Sequence, residues 1–255
     1  MPLRVLILGG TTEASALARL LAGEPRFEAT LSLAGRTAAP KSQPLPTRIG
    51  GFGGAEGLAR FLRDERIDVL IDATHPYAAR ISANAVAAAR ATDTPLASFV
   101  RPGWTAQPAD RWQIARSATE AAERLGPAPR RVFLSLGRQE LHAFAVAPQH
   151  HYLARVIDPP ERTDLPPDLR LLQARGPFDR ASEVRLLVDE RIDVLVSKNA
   201  GGAATYAKIE AARELGLPVV MIARPDKPGG ESVTHVEQAL AWLEHHAALR
   251  SLRGV

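Results

Sequence analysis

The 255-residue chain is expected to fold as an α/β protein of two parallel-sheet domains, and three features of the sequence carry that expectation. Short apolar runs alternate with segments of helical periodicity along the whole chain. The heptapeptide DERIDVL occurs at 64–70 and again at 189–195, an offset of about half the length, which points to internal duplication. A chain of 255 residues is also long for one core and comfortable for two of roughly 125 residues each.

Taken in order, RVLILGG at 4–10 reads as a buried strand ending in glycines, and TTEASALARLLAG follows with Ala16, Leu17, Leu20 and Leu21 at helical spacing. The alternation continues with a strand at 28–34, a helix at 55–66, a strand at 68–73, a helix at 77–91 and a strand at 95–100. A Pro- and Trp-containing stretch, a short segment QIAR and a helix ATEAAERLG close the first half near Gly126. PAPR at 127–130 reads as the linker, so the expected domains are 1–127 and 128–255. RVFLSLG at 131–137 opens the second series, which runs through HYLARVI, RLLQARG, the helix FDRASEVRLLVDER, the strand DVLVS, the helix GGAATYAKIEAARELG, the strand PVVMIARP and a last helix THVEQALAWLEHHAA. Strands that alternate with helices in this way build parallel sheets covered on both faces. DERIDVL is then scaffold, a helix tail, a turn and a buried strand. The residues after it differ because they stand at the carboxyl end of that strand, where open α/β sheets bind ligands.

Composition narrows the function. Hydrophobic residues make up 45% and charged residues 24%, and no apolar run approaches the roughly 20 residues of a membrane span. The chain has no cysteine, which excludes disulfide and thiolate chemistry, and its opening reads as a strand without a signal-peptide pattern, so a cytoplasmic protein is expected. The net charge of +4 and pI near 9.8 rest on 28 arginines and 4 lysines against 28 acidic residues. Such a balance suits nucleic acid, an anionic membrane or an acidic small molecule. The basic residues are scattered singly apart from Arg130–Arg131, and aromatics are 5%, which argues against nucleic acid.

Four constellations can carry chemistry. In LILGGTTEA, the Gly9–Gly10 turn with Thr11, Thr12 and Glu13 either cradles a nucleotide phosphate at a helix start or simply reverses the chain. It lacks the second and third glycines of G-x-G-x-x-G. After the second strand, where a carboxylate would take the ribose of NAD, stand Arg36 and Thr37, which suit a 2′-phosphate or a solvated loop. Gly50–Gly54 borders either a cofactor or a flexible loop. DATHPYA collects Asp72, Thr74, His75 and Tyr77 at a central strand end, with His75 either an acid–base group or a hydrogen-bonding strut. SKNAGGAAT is its counterpart: Ser197, Lys198 and Asn199 offer donors, and Gly201 and Gly202 open a helix N-terminus to an anion, or form a structural turn. Arg101, Arg138, Arg155, Arg175 and Arg224 recur just beyond strands and would line a rim suited to carboxylates. The histidine pairs 150–151 and 245–246 lack metal-ligand spacing, so no metal site is expected.

LILGGTTEA, DATHPYA, SKNAGG and KIEAARELGLPVVMIARP, in this order, resemble the precorrin-6A reductase family, NADPH-dependent enzymes of aerobic cobalamin biosynthesis, over nearly the whole chain. The resemblance implies two Rossmann-like domains with the active-site cleft between them. It implies NADPH on the first, contacted by Gly9, Gly10, Thr11, Thr12, Glu13, Arg36, Thr37, Asp72, Ala73, Thr74 and His75. It further implies a polycarboxylate tetrapyrrole facing Ser197, Lys198, Asn199, Gly201 and Gly202, with Arg138 and Arg224 toward its carboxylates. The implied reaction reduces one carbon–carbon double bond of precorrin-6A to precorrin-6B, with Tyr77, His75, Lys198 or solvent as proton donor. A non-redox, nucleotide-sugar or anion-binding protein of two Rossmann-like domains is the alternative.

Overall fold

A computed structural model describes residues 1–35, 41–227 and 229–253. The strands, numbered in chain order, are β1 (Leu3–Leu8), β2 (Phe27–Leu33), β3 (Thr47–Ile49), β4 (Val69–Asp72), β5 (Leu96–Phe99), β6 (Arg111–Ala115), β7 (Arg131–Ser135), β8 (His151–Val156), β9 (Leu169–Gln173), β10 (Val194–Lys198), β11 (Pro218–Ile222) and β12 (Glu231–Val233). The α-helices are α1 (Thr12–Leu21), α2 (Ala55–Asp64), α3 (Ala79–Thr92), α4 (Ala118–Glu123), α5 (Arg180–Asp189), α6 (Ala207–Glu214) and α7 (Val236–Arg253), with a 3₁₀ segment at Arg138–Val146. They form two wholly parallel six-stranded sheets, ordered β3-β2-β1-β4-β5-β12 and β9-β8-β7-β10-β11-β6. None of the described helices is long and apolar enough to cross a membrane.

The apolar run of β1 is continuous because both faces of its sheet are covered. Val5 and Ile7 turn toward a core shared with Leu17 and Leu21 of α1 and Trp242 and Leu243 of α7. Leu6 and Leu8 point the other way, onto Leu58 and Leu62 of α2 and Ala85 and Ala88 of α3. The small residues of α3 let it approach α2 closely across that face. In the second sheet, Phe133, Leu195, Val219 and Met221 meet Leu187 of α5 and Ile209 of α6 in the same manner.

The expected boundary at 127/128 is not where the chain divides. One compact unit comprises Met1–Arg101 and Pro225–Val255, the other Pro102–Arg224. The reason lies in the sixth strand of each sheet. β6 lies before the linker, yet it pairs with β11 of the second sheet, Met221 opposite Ile114. β12 follows the whole second unit, yet it pairs with β5 of the first, Val233 opposite Phe99. Each sheet thus takes its sixth strand, and the helix after it, from the other half of the chain: β6 and α4 precede residue 127, and β12 and α7 end the sequence.

The repeated DERIDVL performs one structural task twice. Asp64 and Asp189 end α2 and α5, and Arg66 and Arg191 adopt positive φ of 51° and 49° to turn the chain. Asp68 Oδ2 accepts from the Arg4 backbone N–H at 2.8 Å, and Asp193 Oδ2 from that of Arg131 at 2.7 Å. The Arg4 and Arg131 guanidiniums reach back to the carbonyls of Glu65 and Glu190. The motif pins β1 and β7 to the helix–strand turns beside them, away from the carboxyl strand ends.

Residues 102–224 expressed alone are expected to unfold cooperatively on heating when followed by circular dichroism. Residues 1–127 alone are expected to show no cooperative transition, because they lack the Val233, Trp242 and Leu243 that complete their core.

Candidate functional site

In the first unit, the turn after β1 begins at Gly9, whose N–H donates to Ser32 O at 2.9 Å. A Cβ on Gly9 would stand 2.6 Å from Leu31 Cδ1, while one on Gly10, at φ 117°, would meet nothing within 4 Å. A side chain at the first glycine would have to displace the buried Leu31, and the second leaves open space ahead of α1, as close approach by a phosphate demands. Thr11 caps α1 by accepting from Ala14 N–H at 3.2 Å, and its hydroxyl donates to Ala73 O at 2.8 Å. The turns after β1 and β4 are thereby tied together. The N–H groups at the start of α1 have no partner within the helix, which makes the terminus suited to an anion. Glu13 would repel that anion, but Arg101 pairs with it at 2.6 Å, and Thr12 Oγ1 also donates to it at 3.0 Å. These features fit a dinucleotide phosphate. Arg36 and Thr37 lie outside the described residues.

At the end of β4, Asp72 is completely buried, turned under the loop instead of out of it. Its Oδ1 accepts from Thr74 N–H at 3.0 Å and Thr74 Oγ1–H at 2.6 Å, and its Oδ2 lies 3.2 Å from Lys227 Nζ. His75 is exposed, and its Nδ1 accepts from Tyr77 N–H at 3.3 Å, which leaves the proton of the neutral ring on Nε2. The two rings stand 5.7 Å apart. Gly9 to Glu13 and Asp72 to His75 are thus brought to one edge of the first sheet.

In the second unit, the turn after β10 is braced from 102–104 and from Arg224. Ser197 is buried. Lys198 pairs with Glu140 of the 3₁₀ segment. Asn199 exchanges two hydrogen bonds with the Trp104 backbone, at 2.7 and 2.9 Å. Arg224 Nε donates to Asn199 O at 2.6 Å and its Nη2 to Pro102 O at 3.1 Å. Gly201, at φ 67°, leaves no room for a side chain: a Cβ would lie 2.1 Å from Pro102 O. Trp104 Nε1 donates to Gly202 O at 2.8 Å.

The expected arginine rim is only partly realised. Arg155 is buried, forked onto Glu183 at 2.7 and 3.1 Å and stacked 3.9 Å over Phe178, because an unpaired charge at that depth would be costly. Arg101 belongs to the first unit's turn, and Arg138 donates to Pro159 O and pairs with Glu161. Sequence reading missed Trp104, Glu140, Lys208 and Lys227. A usable signal existed for the lysines, which are only four in a chain of 28 arginines. Lys208, in the first turn of α6, is buried, donates to Thr205 O at 2.8 Å and lies 4.9 Å from the Trp104 ring. Burial pushes its ammonium down to about 7, with Glu183 opposing and Arg155 adding to the shift.

The family model described as precorrin-6x reductase CbiJ/CobK matches residues 4–244. The precorrin-6A reductase of Rhodobacter capsulatus is 52% identical over 245 residues, covering 96% of this chain and 97% of that one. The cobalt-precorrin-6A reductase of Methanothermobacter thermautotrophicus is 29% identical, covering 87% and 76%. A solved structure described as CobK precorrin-6A reductase superposes with a TM-score of 0.90 at 53% identity, covering 96% of this chain and 97% of that one.

Because the Lys208 pKa is lower folded than unfolded, the unfolded chain holds the extra proton between about pH 7 and the ordinary lysine value of 10.5, so stability rises with pH across that window. Relative to wild type, Lys208→Met is expected to gain stability as pH falls from 10 toward 7, by up to about 1.4 kcal/mol per pH unit, and to level off below 7. Urea unfolding at several pH values measures the slope.

Proposed function

The chain belongs to the precorrin-6x reductase CbiJ/CobK family, and on that premise we propose that it catalyses the NADPH-dependent reduction of one carbon–carbon double bond of precorrin-6A, giving precorrin-6B. The observation that carries this reading is the Gly9–Gly10–Thr11 turn heading α1 and bonded to Ala73. NADPH, when bound, supplies the hydride. The chain's own residues bind and orient. The N-terminus of α1 takes the pyrophosphate, Arg36 and Thr37 take the 2′-phosphate, and the turn from Asp72 to His75 seats the nicotinamide end.

On the second unit, Lys198, Asn199, Gly201 and Gly202, with Arg138 and Arg224, face the macrocycle, while Ser197, expected among them, is buried with its hydroxyl turned onto the Lys198 carbonyl. The acetate and propionate arms of the macrocycle reward guanidinium and ammonium donors, which Arg138, Arg224 and Lys198 supply in this reading. The reduction also consumes a proton, for which His75, Tyr77, Lys198 or solvent is the donor in this reading. Holding the acceptor carbon against the hydride donor, away from water, supplies much of the rate by positioning alone. The higher identity to the precorrin-6A than to the cobalt-precorrin-6A relatives supports the metal-free macrocycle as substrate. The proposed setting is the cytoplasm, with its reducing NADPH pool.

Under anaerobic conditions, NADPH absorbance is expected to fall on addition of precorrin-6A and protein, with NADH far less effective. Arg36→Ala is expected to raise the KM for NADPH about tenfold or more, the equivalent of about 1.4 kcal/mol for a lost phosphate contact, and to leave the KM for NADH nearly unchanged. No nicotinamide consumption with either cofactor would remove the reductase reading.

A further inference from the structure

Lys227 lies on the segment by which the chain returns to the first unit ahead of β12, far in sequence from the turns at that sheet's edge. Its ammonium is 3.2 Å from Asp72 Oδ2 and donates to Thr74 O at 3.3 Å. Asp72 has no exposure at the end of β4, where a lone carboxylate would be strongly disfavoured. Its other oxygen is already engaged by the Thr74 N–H and hydroxyl. The two carbonyls of this turn are consequently held from opposite ends of the sequence: Ala73 O by the Thr11 hydroxyl and Thr74 O by Lys227.

We propose that Lys227 is a positioning residue for the NADPH seat, acting through Asp72 and the Thr74 carbonyl to fix the peptide planes of residues 72–75. This inference rests on the reading that the turn seats the nicotinamide end of NADPH. Lys227 makes no contact with the reacting atoms in this role. An ammonium suits the task better than a guanidinium, since it is a compact charge with donors in several directions, able to serve a carboxylate and a carbonyl that are not coplanar. In a chain that otherwise uses arginine seven times as often, a lysine here has a chemical reason.

The test compares Lys227→Met and wild type, full length, by NADPH titration and steady-state kinetics. The proposal expects the Kd and KM for NADPH to rise about tenfold, with the KM for precorrin-6A within twofold of wild type and kcat lowered less than KM is raised. Lys227→Arg is expected to recover part of the NADPH affinity. Should Lys227→Met fail to fold, Lys227→Gln, similar in size and uncharged, is expected to show the same raised KM. A variant with lower Tm and unchanged NADPH Kd and KM would make Lys227 merely structural and overturn the proposal. Wild-type protein that binds no NADPH would instead overturn the functional reading and this inference with it.

Discussion

A parallel sheet delivers the carboxyl ends of all its strands to one edge, and in this protein nearly every residue of chemical interest stands on such an edge. That constraint is strongest at the hydrogen bond from Thr11 to Ala73, which ties the turn after β1 to the turn after β4. One side chain caps a helix and joins two turns 62 residues apart in sequence. The helix start, the open space beside Gly10 and the His75 loop therefore share one frame, and each loses its position if the others move. Opposite ends of the strands serve a different purpose. There the duplicated heptapeptide anchors β1 and β7 to their neighbours through Asp68 and Asp193. Duplication kept that anchoring and left the turns at the other edge to diverge.

Buried charge follows a consistent pattern. Where a flat fork is wanted, arginine is used, as in Arg155 on Glu183 between aromatic rings. Where a turn needs one compact cation reaching in several directions, lysine replaces it: Lys198 beside Glu140 and Lys227 beside Asp72. Lys208 differs, lying in the first turn of a helix beneath Trp104 with a carbonyl as its hydrogen-bond partner. Removing one member of such a pair leaves an uncompensated buried group, so the cost falls on the geometry of the turn as well as on global stability.

Much of the fold was legible in the sequence because continuous apolar runs, glycine turns and helix caps are local signals. β1, β4, β10 and β11 and the helices around them were readable for that reason. β3 and β12 were not, since three residues each between prolines or glycines are too few to display a period. The domain boundary failed for a different cause. Nothing in QIAR or ESV states which sheet it joins; that choice depends on pairing with strands more than a hundred residues away. The same limit applied at the turns. Gly9, Thr11, Asp72 and Asn199 carry their own conformational signatures, whereas Trp104 and Lys227 matter only through contacts 95 and 153 residues distant. Arg155 was misplaced on the rim because a sequence marks a strand end without marking which side chains point inward there.

A crystal structure of the chain grown with NADPH is the most direct examination of this frame. The pyrophosphate oxygens are expected within hydrogen-bond distance of the backbone N–H groups of residues 10–13, with the nicotinamide end against residues 73–75. A dinucleotide seated instead at residues 197–202, or away from both turns, would contradict the assignment of the first unit as the cofactor's.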